Sequence, residues 1–145
     1  MKKSNVRKPY YFLCTSLYSW DGNKLRWDRE MHKEWYGIVR QLENNGLKVV
    51  VALRDLSQDR TGKWLRRKEF ELIRKASGII ILLGNTPGIY AESGYAKGLN
   101  KPLYGIRTER LKDFGVKVQN WIESIYTEVF DDADSLIRFL AKKTK

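Results

Sequence analysis

The sequence predicts an α/β fold: a single domain on an open five-stranded parallel sheet, with helices on both faces. Three observations predict it. Short apolar runs alternate with longer amphipathic ones along the 145 residues. The apolar runs are continuous, as strands covered on both faces require. Each amphipathic stretch is long enough to carry the chain back over the sheet, so successive strands run parallel.

The elements follow in order. YYFLCTSL (10–17) is the first strand. LRWDREMHKEWYGIVRQLENNG then places Trp27, Met31, Trp35, Ile38, Val39 and Leu42 at helical spacing, and Asn45-Gly46 closes that helix. LKVVVAL (47–53) is the second strand. In WLRRKEFELIRKAS, residues Leu65, Phe70, Leu72, Ile73 and Ala76 mark a helix that delivers the chain into GIIILLG (78–84), the third strand. A short helix spans 90–99, PLYGIRT (102–108) is the fourth strand, VQNWIESI is helical, and YTEVF (126–130) is a fifth, weaker strand. DDADSLIRFLAKK is the last helix, with Asp131 or Asp132 available as its cap. Five such strands suit the flavodoxin-like order 2-1-3-4-5. The basic segment 1–8 and the basic tail 142–145 flank the domain.

Composition narrows the partners. Lysine and arginine total 28 against 17 acidic residues, a net charge of +11, with the densest internal cluster in RTGKWLRRKEF (60–70). That surplus raises the local concentration of anions such as nucleotides. No helix-turn-helix, zinc or RNP-type motif is present, so nucleic acid is expected to bind only non-specifically, through charge. No apolar run reaches the roughly 18 residues of a membrane-spanning helix, and no membrane partner is expected. The N-terminus is basic and then apolar, but the apolar part is short and lacks a small-residue cleavage site, so a first strand is expected and not a signal peptide. A single cysteine, Cys14, fits a reducing cytoplasm. His32, the one histidine, has no cluster of ligands beside it, so neither metal nor cofactor is expected.

The topology says where a site belongs. In a 2-1-3 order the strand direction of travel reverses between strands one and three, and ligands bind outside the carboxyl ends of the strands there. The loops meeting at that point are CTSLYSWDGN and GNTPGIYAE. Glu92 stands at this mouth, in what the pattern suggests is the first turn of a helix. A carboxylate there has an ordinary explanation in the helix dipole. Free N–H groups at the same helix start also suit an anion.

GIIILLGNTPGIYAESGYAKGLNKPLYGIRTER resembles the signature of the nucleoside 2-deoxyribosyltransferase family, which includes the 2′-deoxynucleoside 5′-phosphate N-hydrolases. The family carries a buried strand, then D-x-G-T-x-x-E-x-G-Y-A, then G-K-P and a further strand ending R-T-D. Gly88, Glu92, Gly94, Tyr95, Ala96, Lys101, Pro102, Arg107 and Thr108 stand in register with it. YFLCTSLYS resembles the family's opening strand and loop, which brings Cys14, Thr15 and Ser16 into the candidate site.

The resemblance implies that Glu92 is a nucleophile attacking C1′ of a sugar, in the covalent manner of retaining glycosidases. It implies that Glu69 holds the sugar hydroxyls, against a plain reading as a surface charge paired with Lys68 or Arg66. Tyr95, three residues after Glu92, is a candidate on the same helix face or a core residue. Tyr18 or Trp20 is placed to stack on a nucleobase, worth about 1–3 kcal/mol, and Asp21 to bond a base edge, although Asp-Gly is also simply a turn.

Two departures stand out. The transferases have an aspartate six residues before the nucleophile; here that position is Thr86. In the N-hydrolases it is a hydroxyl residue associated with the substrate phosphate, and Thr86 with Gly88 suits that role. The family's tyrosine near the nucleophile aligns with Phe12, which leaves neighbouring Tyr11 as the candidate in a register shifted by one. Adjacent strand residues face opposite ways, so only one of the two can face the site.

The expected function is cleavage or transfer of the N-glycosidic bond of a (deoxy)nucleoside or nucleoside 5′-monophosphate. The alternatives are a non-catalytic nucleotide-binding sensor and a TIR-like NAD glycohydrolase. By resemblance, a homodimer or larger assembly is expected, with Trp121 or Phe139 at its interface.

Overall fold

The computed structural model describes residues 9–16 and 18–143. The basic segment 1–8, Leu17 of the first predicted strand, and Thr144 and Lys145 of the basic tail lie outside the described residues.

A five-stranded, all-parallel sheet forms the centre of the fold: β1 (Tyr11–Cys14), β4 (Val49–Val51), β5 (Gly78–Leu83), β6 (Leu103–Arg107) and β7 (Glu128–Phe130). Its spatial order is β4-β1-β5-β6-β7, the expected 2-1-3-4-5 in sheet strands. All six residues of β5 are buried. Ile80 and Leu82 point into a core with α1 (Arg29–Asn44) and α6 (Ala133–Lys143); Ile79, Ile81 and Leu83 point into a second core with α3 (Gly62–Lys75) and α4 (Pro87–Gly98). Two covered faces are why the strand reads as an unbroken apolar run. A short α2 (Ala52–Asp55), a 3₁₀ turn (Glu109–Asp113) and α5 (Val116–Glu123) complete the chain.

Where the chain was expected to form a plain loop after β1, it forms an antiparallel hairpin, β2 (Tyr18–Asp21) and β3 (Lys24–Trp27). Gly22 turns it at φ 64°, a conformation glycine adopts without steric cost. Trp27 therefore belongs to β3 and not to the helix face, and is 56% exposed. Its ring stacks on His32 at 3.8 Å, outside the core. α1 starts only after Asp28, whose carboxylate caps it by accepting from the Met31 N–H at 3.0 Å. Met31, Trp35, Ile38, Val39 and Leu42 then form the buried stripe the spacing predicts. Asp132 accepts from the Ser135 N–H at 2.8 Å and serves as the cap expected for α6. Phe139 is half-buried and packs on Tyr104 and Phe130, with ring centroids 5.7 and 5.4 Å away. Among the described residues, no helix is long and apolar enough to cross a membrane.

Asp28 ties the hairpin to the body of the protein. It accepts from the Ser19 hydroxyl at 2.5 Å and from the Arg110 guanidinium at 2.6 Å. Burial opposes its ionisation, but Arg110, Ser19 and the Met31 N–H outweigh that and hold the carboxyl at about 2. The folded state thus favours the ionised form, and the stability it adds is complete above the ordinary value of 3.8 and lost as pH falls through about 2. Replacing Asp28 by Ala should lower stability by about 1 kcal/mol for the cap alone. Urea titrations should show the gap from wild type closing between those two pH values.

Candidate active site

The site is built where β1, β4 and β5 end. Glu92 lies on α4, whose N-terminus follows β5 through Thr86, and its residue exposure is 9%. α4 starts at Pro87, three residues before the expected point, so Glu92 occupies the second turn instead of the first. Helix-dipole stabilisation fades beyond the first turn, so it does not account for a carboxylate here. α3 lies alongside and presents Arg66 and Glu69, three residues apart and therefore on one face. Arg66 Nη1 lies 3.1 Å from Glu92 Oε1 and 3.3 Å from Glu69 Oε2. From β1, the buried Cys14 thiol faces Glu92 and favours its ionised form.

These neighbours act on Glu92 in opposite directions. Burial and the adjacent Glu69 disfavour its charge, Cys14 and Arg66 favour it, and the net effect pushes its carboxyl up to about 8. Burial, reinforced by Glu92, also holds Cys14 as a thiol well above the usual range.

Above this floor opens a cleft of about 470 Å³. Cys14, Thr15 and Ser16 form one wall, Val51 to Leu53 with Gln58 another, Leu65 with Arg66 and Glu69 a third, and Thr86 to Ile89 the start of α4. Tyr18, Trp20 and Leu25 reach over it from the hairpin and remain 42%, 47% and 50% exposed. Asn85 anchors that hairpin: its side chain accepts from the Trp20 N–H at 3.4 Å and donates to Asp113 at 2.5 Å. Thr86 does not cap α4; its hydroxyl bonds Ser16 instead. The helix start therefore presents its N–H groups to the cleft without a side-chain cap. Thr15 Oγ1 is buried and has no partner among the described residues.

Of the residues expected in the site, Glu92, Glu69, Cys14, Thr15, Ser16, Tyr18, Trp20, Thr86 and Gly88 all line the cleft. Three do not. Tyr11 faces the opposite side of the sheet: its ring lies over Gly78, where an added Cβ would come within 3.0 Å of it. Phe12 faces the cleft instead, so strand alternation decides the register in favour of the residue without a hydroxyl. Asp21 lies at the hairpin tip, paired with Arg26 at 3.0 Å. Tyr95 turns towards α3 and stacks on Phe70, with ring centroids 4.2 Å apart. The Glu69–Arg66 pair of the plain reading does form, but it lies in the cleft wall and not on the open surface, and Lys68 pairs with Glu71 instead. Arg66 itself was not singled out as a site residue. Its signal was there in the i, i+3 spacing from Glu69, but the sequence alone does not say that this face meets α4. Among the described residues, no group of three or more His, Cys, Asp or Glu is placed to hold a metal ion.

Neither a family model nor a curated protein matches the sequence. Solved structures do match the fold. A 2-deoxyribosyltransferase from the psychrotolerant bacterium Bacillus psychrosaccharolyticus superposes with a TM-score of 0.67 at 15% identity, over 88% of this chain and 90% of that one. The chain has the nucleoside 2-deoxyribosyltransferase fold. A conserved protein from Enterococcus faecalis gives 0.65 at 10% identity, over 93% and 99% of the two chains. A CMP N-glycosidase from Clostridium botulinum gives 0.60 at 13% identity, over 92% and 98%.

Because folding raises the Glu92 carboxyl from 4.5 to about 8, the native state favours the protonated form. Stability from this group is complete below 4.5 and is lost as pH rises through about 8. Glu92→Gln removes that dependence. Its Tm should match or trail wild type at pH 4.5 and move above it as the pH approaches 9, by about 2–4 °C per kcal/mol recovered.

Proposed function

We propose that this protein cleaves or transfers the N-glycosidic bond of a nucleotide or nucleoside, with Glu92 as the nucleophile. The observation that carries the reading is a buried carboxylate at the floor of a nucleoside-sized cleft, paired with Arg66 and facing a second carboxylate. An oxygen of ionised Glu92 bonds to C1′ as the C1′–N bond breaks. The electron pair stays on the base nitrogen, which takes a proton from water. Water, or the nitrogen of a second base, then attacks C1′, and the ester pair returns to Glu92. Glu69 is placed to hold sugar hydroxyls beside the reacting carbon.

Several features favour a nucleoside 5′-monophosphate, with hydrolysis as the outcome. The uncapped start of α4, the Ser16–Thr86 hydroxyl pair and a chain of net charge +11 suit a phosphate. The base would lie between Tyr18 and Trp20 on the hairpin. Thr86 stands where the transferases carry an aspartate, so water must supply the proton. Trp121, 74% exposed on α5, is the residue by which a second copy would most readily pack. A non-catalytic nucleotide sensor is the second reading, favoured by Phe12 in place of a tyrosine.

Ribo- and deoxynucleosides and their 5′-monophosphates, each with and without a second free base, should be assayed for base release by chromatography. Release is expected from monophosphates and should fall on the order of 10⁴-fold or more in Glu92→Ala, the scale on which nucleophile loss acts. Exchange on unphosphorylated deoxynucleosides would make the protein a transferase. An inert wild type that still binds nucleotides would support the sensor.

A further inference from the structure

We propose that Arg66 is a positioning residue for Glu92: reaching Glu92 and Glu69 with one nitrogen, it draws Glu92 towards ionisation beside a second carboxylate and fixes the Glu92 oxygen it touches. This deepens the N-glycosidic reading and rests on it.

Two carboxylates at one site cannot both ionise without a counter-charge; otherwise one proton stays between them. A protonated Glu92 does not attack C1′. A single guanidinium nitrogen reaches both groups, at 3.1 and 3.3 Å. With both carboxylates ionised, the trio carries a net charge of −1. That is the sign needed beside a sugar developing positive charge at C1′. Among the described residues, the remaining titratable group facing Glu92 is Cys14 from β1, which is held as a thiol and favours ionised Glu92.

The guanidinium is supported from behind. Arg66 Cζ lies 5.3 Å from the centroid of the Phe70 ring, and Phe70 stacks on Tyr95 of α4 at 14° between planes. Tyr95, Phe70 and Arg66 thus form a stack that joins the two helices and ends on the nucleophile. That gives Tyr95 a role without contact with substrate. A planar, delocalised cation suits the stack as an ammonium does not.

The test is a carbon-13 NMR titration of the Glu92 carboxyl in the full chain, assigned with Glu92→Gln, alongside the pH profile of kcat/KM. Arg66→Met should raise the Glu92 midpoint by about one unit or more. The acid limb of kcat/KM should move up with it, and kcat should fall more than KM changes. Arg66→Lys should recover part of the shift. Glu69→Gln should move the midpoint the opposite way, and this keeps the proposal testable if Arg66→Met does not fold. An unmoved midpoint in Arg66→Met, with kcat lowered equally at every pH, would overturn the assignment. A wild type that releases no base while the midpoint still responds to Arg66 would overturn the N-glycosidic reading and leave the electrostatic role of Arg66 supported.

Discussion

Glu92 is a carboxylate that the fold buries at a cost, and much of the cleft is arranged around that cost. A charged group leaving water for a protein interior must be neutralised or paired. Here Arg66 and Cys14 draw it towards ionisation, while burial and Glu69 draw it back. The result is a group balanced near neutrality and not locked in either state. A purely structural ion pair gains nothing from such a balance. Catalytic carboxylates are commonly tuned in this way, because their charge must be available when the substrate arrives.

The rest of the architecture keeps that arrangement in place. β5 is buried on both faces and sets the position from which α4 departs. α3 and α4 are joined through Phe70 and Tyr95, which fixes the distance from Arg66 to Glu92. The hairpin is held by two polar anchors, Asn85 to Trp20 and Asp28 to Ser19 and Arg110, so its aromatic residues stay over the cleft mouth. Polar groups locate the cleft parts; apolar packing supplies the stability behind them.

Much of this was legible in the sequence. GIIILL can only be a doubly covered strand, and the Met31–Leu42 spacing can only be a helix face. The topological switch point follows from the strand order, and it locates Glu92, Thr86 and the loop after β1. Four things were not legible. The start of α4 lies at Pro87, where proline reads as a breaker although it fits a helix's first position. Asp21-Gly22 reads as a simple turn, but it closes a hairpin because alternating residues on both sides pair. The choice between Tyr11 and Phe12 depends on which face of β1 meets α4, a tertiary fact. Arg66 was hidden for the same reason: spacing put it beside Glu69, and only packing puts it beside Glu92.

The central claim is that Glu92 becomes covalently attached to the sugar, and mass spectrometry tests it directly. The protein would be incubated with a 2′-fluorinated deoxynucleoside 5′-monophosphate, whose fluorine slows both steps and lets the ester accumulate, and then digested. The account predicts a mass increase of one fluorinated sugar phosphate on the peptide that contains Glu92, absent from Glu92→Ala. Base release without an adduct, or an adduct on another residue, would contradict it.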